Sequence, residues 1–238
     1  MILMLKLSHV SAAYGKKQVL NDISCEVRDH ELAILIGSNG SGKSTLLKAV
    51  FGLVDIMETD NTQITFDGTS ILGAPTSSLL AAGLMYIPQK KYCFETLTVR
   101  ENLEVSGLLL TSRRLYNDRR DQVLDMFPML ATSLKRLPMT MSAGERQVLA
   151  LGMALLHRPK LIMLDEPFAG LSPHNVELFK NLIRRLNAED RITFLIVEHR
   201  LGALQGWPCH AIVLKMGKVC ADQIVCDDVS EQIADMMF

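Results

Sequence analysis

Apolar and polar residues alternate over residues 5–10 and again over 18–27, the period-two pattern of strands with one buried face. Turn residues at Gly15-Lys16 and Asn21-Asp22 interrupt them, so residues 2–26 read as two or three short strands forming a β layer. The run 31–36 is apolar and partly β-branched, which suits a buried strand, and residues 43–51 change to helical spacing. Residues 64–67 lead into an Asp67-Gly68 turn, 75–82 suit a short helix, and 84–87 form another buried strand.

From Lys90 to about Leu137 the character shifts: charge rises, strand-like runs vanish, and helical spacing appears over 99–109 and 115–127, with Pro128 and Pro138 marking the end. Ser142-Ala-Gly-Glu145 is an S-x-x-E capping box opening a helix to Leu156. Strands at 161–164 and 192–197 flank an amphipathic helix at 173–186. Short strands at 210–215 and 218–221 and a last helix from Ser230 close the chain. The alternation gives an α/β fold in one domain over 1–238. Residues 1–89 and 157–238 form the core with its β layer, and 90–156 form an inserted helical subdomain.

Composition narrows this picture without changing it. A chain of 238 residues, 48% of them hydrophobic, is ample for a sizeable core. Twenty-five basic against 26 acidic residues leave a net charge of −1, so no global field favours nucleic acid or an anionic membrane surface. Arg113-Arg114 and Arg119-Arg120 read as a solvated face, since no aromatics are interleaved with them. Five cysteines without a C-x-x-C pair argue for reduced, mostly buried thiols and a cytosolic setting. The longest apolar runs are about half of the ~20 residues a spanning helix needs. The first six residues are too short for a signal peptide, so a membrane role is expected to come from a separate subunit.

The chemistry concentrates in Gly37-Ser38-Asn39-Gly40-Ser41-Gly42-Lys43-Ser44-Thr45, which fits G-x-x-x-x-G-K-[ST] at every fixed position and sits between a predicted strand and a predicted helix. Its glycines let backbone N–H groups turn inward and, with the positive end of the new helix, bind phosphates. Lys43 is expected to reach the β- and γ-phosphates and Ser44 to ligate Mg²⁺. The motif implies a nucleoside triphosphate ligand and a P-loop NTPase core. The strand at 161–164 ends in Asp165 and Glu166; in a P-loop protein the first holds Mg²⁺ and the second orients or deprotonates the attacking water. Tyr14 and His199, taken alone, read as strand packing and a satisfied strand-end polar residue.

Tyr14, the phosphate loop, Gln89, Met141-Ser142-Ala143-Gly144-Glu145, residues 161–166 and His199 occur in the order and approximate spacing of the motifs of ABC-type ATPases. The chain thus resembles the nucleotide-binding subunits of ABC transporters over nearly its whole length. The phrases Thr98-Val-Arg-Glu-Asn-Leu103 and Asp165-Glu-Pro-Phe-Ala-Gly-Leu-Ser-Pro173 look most like the branched-chain amino-acid and urea or amide importers. The resemblance implies a mixed central sheet, an N-terminal antiparallel β layer and the helical subdomain, with ATP and Mg²⁺ as ligands. It makes Tyr14 the adenine-stacking residue, Gln89 a sensor of Mg²⁺ and the attacking water, Glu166 the catalytic carboxylate and His199 a γ-phosphate contact. It also implies a head-to-tail dimer, with itself or a paralogous ATPase subunit, in which Ser142 and Gly144 close over the ATP on the other copy. Transmembrane permease subunits would hold the pair at the cytoplasmic face of the cell membrane, and the segment after Gln89, with Tyr92, Phe94 and Leu97, would leave apolar surface for them. No nucleic-acid partner is expected. Alternatives are a soluble ABC-type ATPase acting on nucleic acid or ribosomes, an exporter or lipopolysaccharide-type ATPase, and a regulatory module that binds ATP without hydrolysing it. Several positions depart from the family pattern. Ala143 and Glu145 stand where the signature has Gly and Gln, Ser172 where the D-loop has Asp, and Arg200 where many relatives carry an acid after the histidine.

Overall fold

The computed structural model describes residues 3–204, 207 and 209–225; the helix expected from Ser230, and Cys226, lie outside them. β1 (Leu3–Tyr14) and β2 (Lys17–Arg28) pair antiparallel, and β4 (Gln63–Phe66) and β5 (Thr69–Ser70) extend the layer in the order β2-β1-β4-β5. Two twelve-residue strands therefore replace the several short ones expected. Register shifts between Leu7 and Val10 and between Val10 and Ala12 break the alternation, and Asn21-Asp22 is a bulge within β2 rather than a turn. At that bulge Asp22 takes φ 58 and its N–H donates to Ser11 Oγ at 3.0 Å.

The second sheet runs β10-β9-β3-β8-β7-β6. It comprises β3 (Leu32–Ile36), β6 (Leu84–Ile87), β7 (Leu161–Asp165), β8 (Thr193–Glu198), β9 (Cys209–Lys215) and β10 (Lys218–Val225). All neighbours are parallel except β9 and β10. Helix α1 (Lys43–Val50) inserts Leu46, Leu47 and Val50 into one cluster with Leu5 and Phe66 of the β layer and with Leu35 and Leu195 of this sheet. The opposite face, through Ile34, Ile162 and Ile196, packs on α7 (Pro173–Glu189). Burial on both faces is why these strands read as continuous apolar runs.

The helical segment contains α3 (Val99–Ser106), α4 (Arg113–Met126), α5 (Pro128–Thr132) and α6 (Ala143–Leu155); α2 (Thr76–Ala82) precedes β6. The helix expected over 99–109 ends at Ser106 and tightens into a 3₁₀ turn, where a Cβ on Gly107 would lie 2.2 Å from the Tyr116 ring. Pro128 opens α5 instead of closing a helix, because Pro at the first helical position forfeits no hydrogen bond. The arginine pairs are less free than expected: Arg119 Nη1 donates to Leu156 O at 2.7 Å, and Arg113 and Arg120 lie 5.0 and 5.6 Å from the Tyr116 ring centroid. Cys25 and Cys209 are buried, Cys93 is half-buried and Cys220 is exposed, without a disulfide among the described residues.

Buried His210 on β9 links the turn between β2 and β3 to the edge strand β10. Its Nδ1 lies 3.1 Å from Glu31 Oε2 and its Nε2 bonds Asp222 Oδ1, beside a crevice of about 700 Å³ that also touches Lys6 and Arg28. The hydrogen bond to Glu31 raises the His210 pKa; burial opposes it and Asp222 adds to it. A raised folded-state pKa gives stability that is complete below about pH 6.5, the unfolded value, and is lost as pH climbs through the folded one. His210→Gln is therefore expected to cost on the order of 1–3 kcal/mol at pH 6, read as a lower Tm, with the gap to the parent chain narrowing toward pH 9. The Asp222 arm is 38% exposed and is screened, so Asp222→Asn is expected to cost less. A Tm gap that is the same at both pH values would assign His210 to packing alone.

Candidate nucleotide site

The phosphate loop leaves β3 at Ile36 and re-enters helix at Lys43. A Cβ on Gly37 would sit 2.2 Å from Leu214 O of β9, so that strand's backbone demands glycine there; Gly42 takes φ 107, which few side chains accept. The loop is stitched internally. Lys43 Nζ donates to Gly37 O at 2.8 Å and Ser38 O at 3.0 Å, and Ser41 O accepts from Gly217 N at 3.0 Å in the β9–β10 turn. An ammonium has three donors, so one N–H of Lys43 remains for a ligand. The first turn of α1 has no side-chain cap, and buried Ser41 Oγ lacks a hydrogen-bond partner. An anion at this helix start would meet unspent donors and a favourable dipole.

A crevice of about 510 Å³ opens above the loop. Asn39, Gly40 and Gly42 to Thr45 form its floor together with Glu166, while Lys17, Gln18 and Val19 of β2 and the Met216-Gly217 turn form its walls. These wall residues are additions to the sequence reading. Lys17 to Val19 follow Tyr14 closely enough to have been suspected, whereas Met216, which is 87% exposed, reaches the crevice only through β9–β10 pairing. Tyr14 stands half exposed at the end of β1 and does not line the crevice.

The carboxyl ends of β6, β7 and β8 bring distant residues together. Ser44 Oγ donates to Asp165 Oδ1 at 2.8 Å and Tyr86 OH to Asp165 Oδ2 at 3.2 Å. Burial pushes the Asp165 pKa up, and these two hydrogen bonds hold back the rise. Burial lowers the Lys43 pKa, against the pull of the Glu166, Asp165 and Glu198 carboxylates. Glu166, next in the chain, adopts φ 49, a left-handed conformation uncommon for glutamate, and its N–H donates to Val197 O at 3.0 Å. Its Oε2 accepts from Gln89 Nε2 at 2.5 Å, just beyond the end of β6. Its Oε1 lies 3.2 Å from His199 Nδ1. That nitrogen is also 3.4 Å from Glu198 Oε1, and it makes no well-directed hydrogen bond to either carboxylate.

Ser142 and Gly144 are elsewhere, at the start of α6, and line no part of this crevice. Ser142 accepts from Glu145 N and the Glu145 side chain accepts from Ser142 N, a complete capping box. Gln or Glu serves equally in that role, and Arg136 Nη1 meets the extra charge of Glu145 at 2.8 Å. Ser172 likewise caps α7, accepting from Asn175 N at 3.3 Å, a task for which Ser and Asp are near equals.

The Ser44–Asp165 pair fits Mg²⁺. It offers a hydroxyl and a carboxylate side by side, and no group of three His, Cys, Asp or Glu residues among those described forms a cage. Mg²⁺ characteristically takes one or two protein oxygens and completes its shell with phosphate and water.

Residues 20–169 match the ABC transporter family. The chain is 37% identical, over 91% of itself and 91% of the relative, to the high-affinity branched-chain amino acid transport ATP-binding protein BraG of Pseudomonas aeruginosa. It is 35% identical to the probable branched-chain amino acid transport ATP-binding protein LivF of Archaeoglobus fulgidus, over 91% and 90% of the two chains. The fold superposes with a TM-score of 0.86 and 25% identity on the crystal structure of the ADP conformation of an ATP-binding cassette of an ABC transporter, covering 99% of this chain and 96% of that one. With the phosphate loop on β3 and the Gln89, Glu166 and His199 side chains converging beside it, the chain belongs to the ABC transporter family, as an ATP-hydrolysing nucleotide-binding subunit.

Proposed function

We propose that this subunit powers uptake of a branched-chain amino acid or a related small polar solute such as urea or an amide. The observation that carries the ATP-driven part is the contact of Gln89, Glu166 and His199 at three strand ends beside the phosphate loop. The solute class is supported by the relatives named for branched-chain amino acid transport at 35% and 37% identity. In this reading residues 37–45 cradle the phosphates, with Lys43 on the β- and γ-phosphates and Tyr14 beside the base. Glu166 orients or deprotonates the attacking water, His199 contacts the γ-phosphate and Gln89 registers that state. Ser44 and Asp165 hold Mg²⁺, assisted by Gln89; when bound, the ion neutralises charge on the β- and γ-oxygens. Ser142 and Gly144, carried on the helical subdomain, close over the ATP of a second copy or a paralogous subunit.

No helix among the described residues is long and apolar enough to cross a membrane, so the reading places a permease at the crevice of about 770 Å³ around Gln89, Phe94, Glu95 and Arg146. Phe94 is 51% exposed there, whereas Tyr92 turns inward onto the core and Leu97 is half-buried, leaving less apolar surface than the sequence suggests. Buried Asn102 fixes the segment: its Oδ1 accepts from Phe94 N at 2.8 Å and its Nδ2 donates to Phe94 O and Leu97 O at 3.0 Å each. The backbone that carries Phe94 is thus fixed in place, which lowers the entropic cost of docking. Phe94→Ala is expected to keep the ATPase of the isolated subunit, to weaken co-purification with its permease and to abolish uptake of labelled leucine or urea into vesicles. If ATPase falls in proportion to uptake, Phe94 belongs to the core; if the parent complex takes up neither solute class, the solute assignment fails.

A further inference from the structure

We propose that Arg200 is a positioning residue for ATP hydrolysis, locking the turn that carries His199 to the loop that follows Glu166. This rests on the reading of Glu166 and His199 as the hydrolytic pair. Arg200 stands two residues beyond the end of β8, and its guanidinium spans two elements: Nη2 donates to Phe168 O at 2.6 Å and Nε lies 3.6 Å from Glu198 Oε1. Both contacts have a reason to be strong. Glu198 is wholly buried; its Oε1 accepts from His199 N at 2.8 Å and Arg200 N at 3.0 Å, while its Oε2 has no partner among the described residues. A carboxylate so placed needs a cation, and Arg200 is the cation within reach that its own turn supplies.

The other end of the tie is equally fixed. Phe168 is fully buried, with its ring 6.3 Å from Phe179 and 5.7 Å from Trp207, and its carbonyl also accepts from Leu171 N at 3.2 Å. Phe168 lies two residues beyond Glu166, whose left-handed φ makes its aim sensitive to where that loop is pinned. His199 Nδ1 and Glu166 Oε1, 3.2 Å apart without an aligned hydrogen bond, do not hold each other. Their spacing is set instead by Glu198 on one side and Phe168 on the other, and Arg200 joins the two. A planar guanidinium can serve both partners at once; an acid at this position would meet Glu198 with like charge. The arginine that replaces the family's acid therefore has a structural purpose in this chain.

The test is single-turnover hydrolysis and equilibrium ATP binding on the full chain bearing Arg200→Ala or Arg200→Lys, with Glu166→Gln and His199→Ala alongside. Arg200→Ala is expected to slow hydrolysis at least tenfold while ATP affinity stays within threefold, and Arg200→Lys to fall between it and the parent. Glu198→Gln added to Arg200→Ala removes the uncompensated buried charge. The double variant is expected to recover the parental Tm yet remain slow, since the tie to Phe168 O is still missing. Parental hydrolysis in Arg200→Ala or in the double variant overturns the proposal, and so does a loss of ATP affinity in step with rate. If Glu166→Gln and His199→Ala hydrolyse normally, the hydrolytic pair itself is wrong; if they are slow while the Arg200 variants are not, only the role of Arg200 fails.

Discussion

Glu166→Gln is expected to bind ATP as tightly as the parent chain and to hydrolyse it 10²–10⁴-fold more slowly, about 2.7–5.5 kcal/mol of lost transition-state stabilisation. Three carboxylates crowd the strand ends, and the geometry selects among them. Both oxygens of Asp165 are engaged, by Ser44 and by Tyr86. Glu198 is sealed from solvent and spends Oε1 on the backbone of its own turn. Only Glu166 lines the crevice above the phosphate loop, with a side chain 14% exposed. Glutamine is isosteric and keeps an acceptor toward Gln89, whose amide can also turn to receive the new N–H group, so affinity and fold are expected to survive. What is lost is the proton acceptor. Because ATP then persists, the variant is also expected to accumulate as a dimer on a sizing column when ATP is present and to run as a monomer without it. Turnover near the parental rate would move the general base elsewhere, and a dimer indifferent to ATP would mean that an interface other than the nucleotide holds it.

Local patterns carry the legible part of this molecule. β3, β7 and β8 stand out in the sequence because burial on both faces leaves their interior positions apolar, with polar residues only at the ends of β7 and β8, and the phosphate loop because the approach of β9 and a positive φ dictate its glycines. Ser44, Asp165 and Glu166 could be named from their motifs and Gln89 and His199 only from the family resemblance; the structure pairs Ser44 with Asp165 and sets Gln89 and His199 against Glu166. Features set by long-range pairing stay hidden. β1 and β2 look like fragments because bulges reset their alternation. A glutamate is ordinarily a surface residue, so nothing local marks Glu198 as wholly buried or gives Arg200 its two partners. Met216 belongs to the crevice only because β10 folds back on β9. Ser142 and Gly144 are named from the resemblance alone, and within one chain they line no part of the crevice.

Lys43→Ala is expected to abolish nucleotide binding rather than turnover, lowering ATP affinity by at least about a hundredfold, some 2.7 kcal/mol. Lys43 is 5% exposed, and its charge is attracted by the Glu166, Asp165 and Glu198 carboxylates. Without it, a triphosphate entering the crevice would meet the Glu166 carboxylate, with Asp165 and Glu198 buried behind it, and no buried cation but the metal it brings. Two of its donors brace Gly37 O and Ser38 O, so loss of the side chain also loosens the loop whose N–H groups cradle the phosphates. Lys43→Met separates the loss of charge and hydrogen bonds from the loss of volume: it fills the space, donates no hydrogen bond and carries no charge, and it is expected to bind as poorly as the alanine variant. The fold itself is expected to tolerate both changes, because burial disfavours the charged ammonium and its removal relieves that cost. Thermal unfolding decides the matter. At ATP a hundredfold above its Kd the parent chain gains about 2.7 kcal/mol of stability, whereas either variant at that concentration is expected to gain less than about 0.5 kcal/mol. A full ATP-induced rise in Tm in Lys43→Met would show that the phosphates are held without this charge and would remove Lys43 from the binding site.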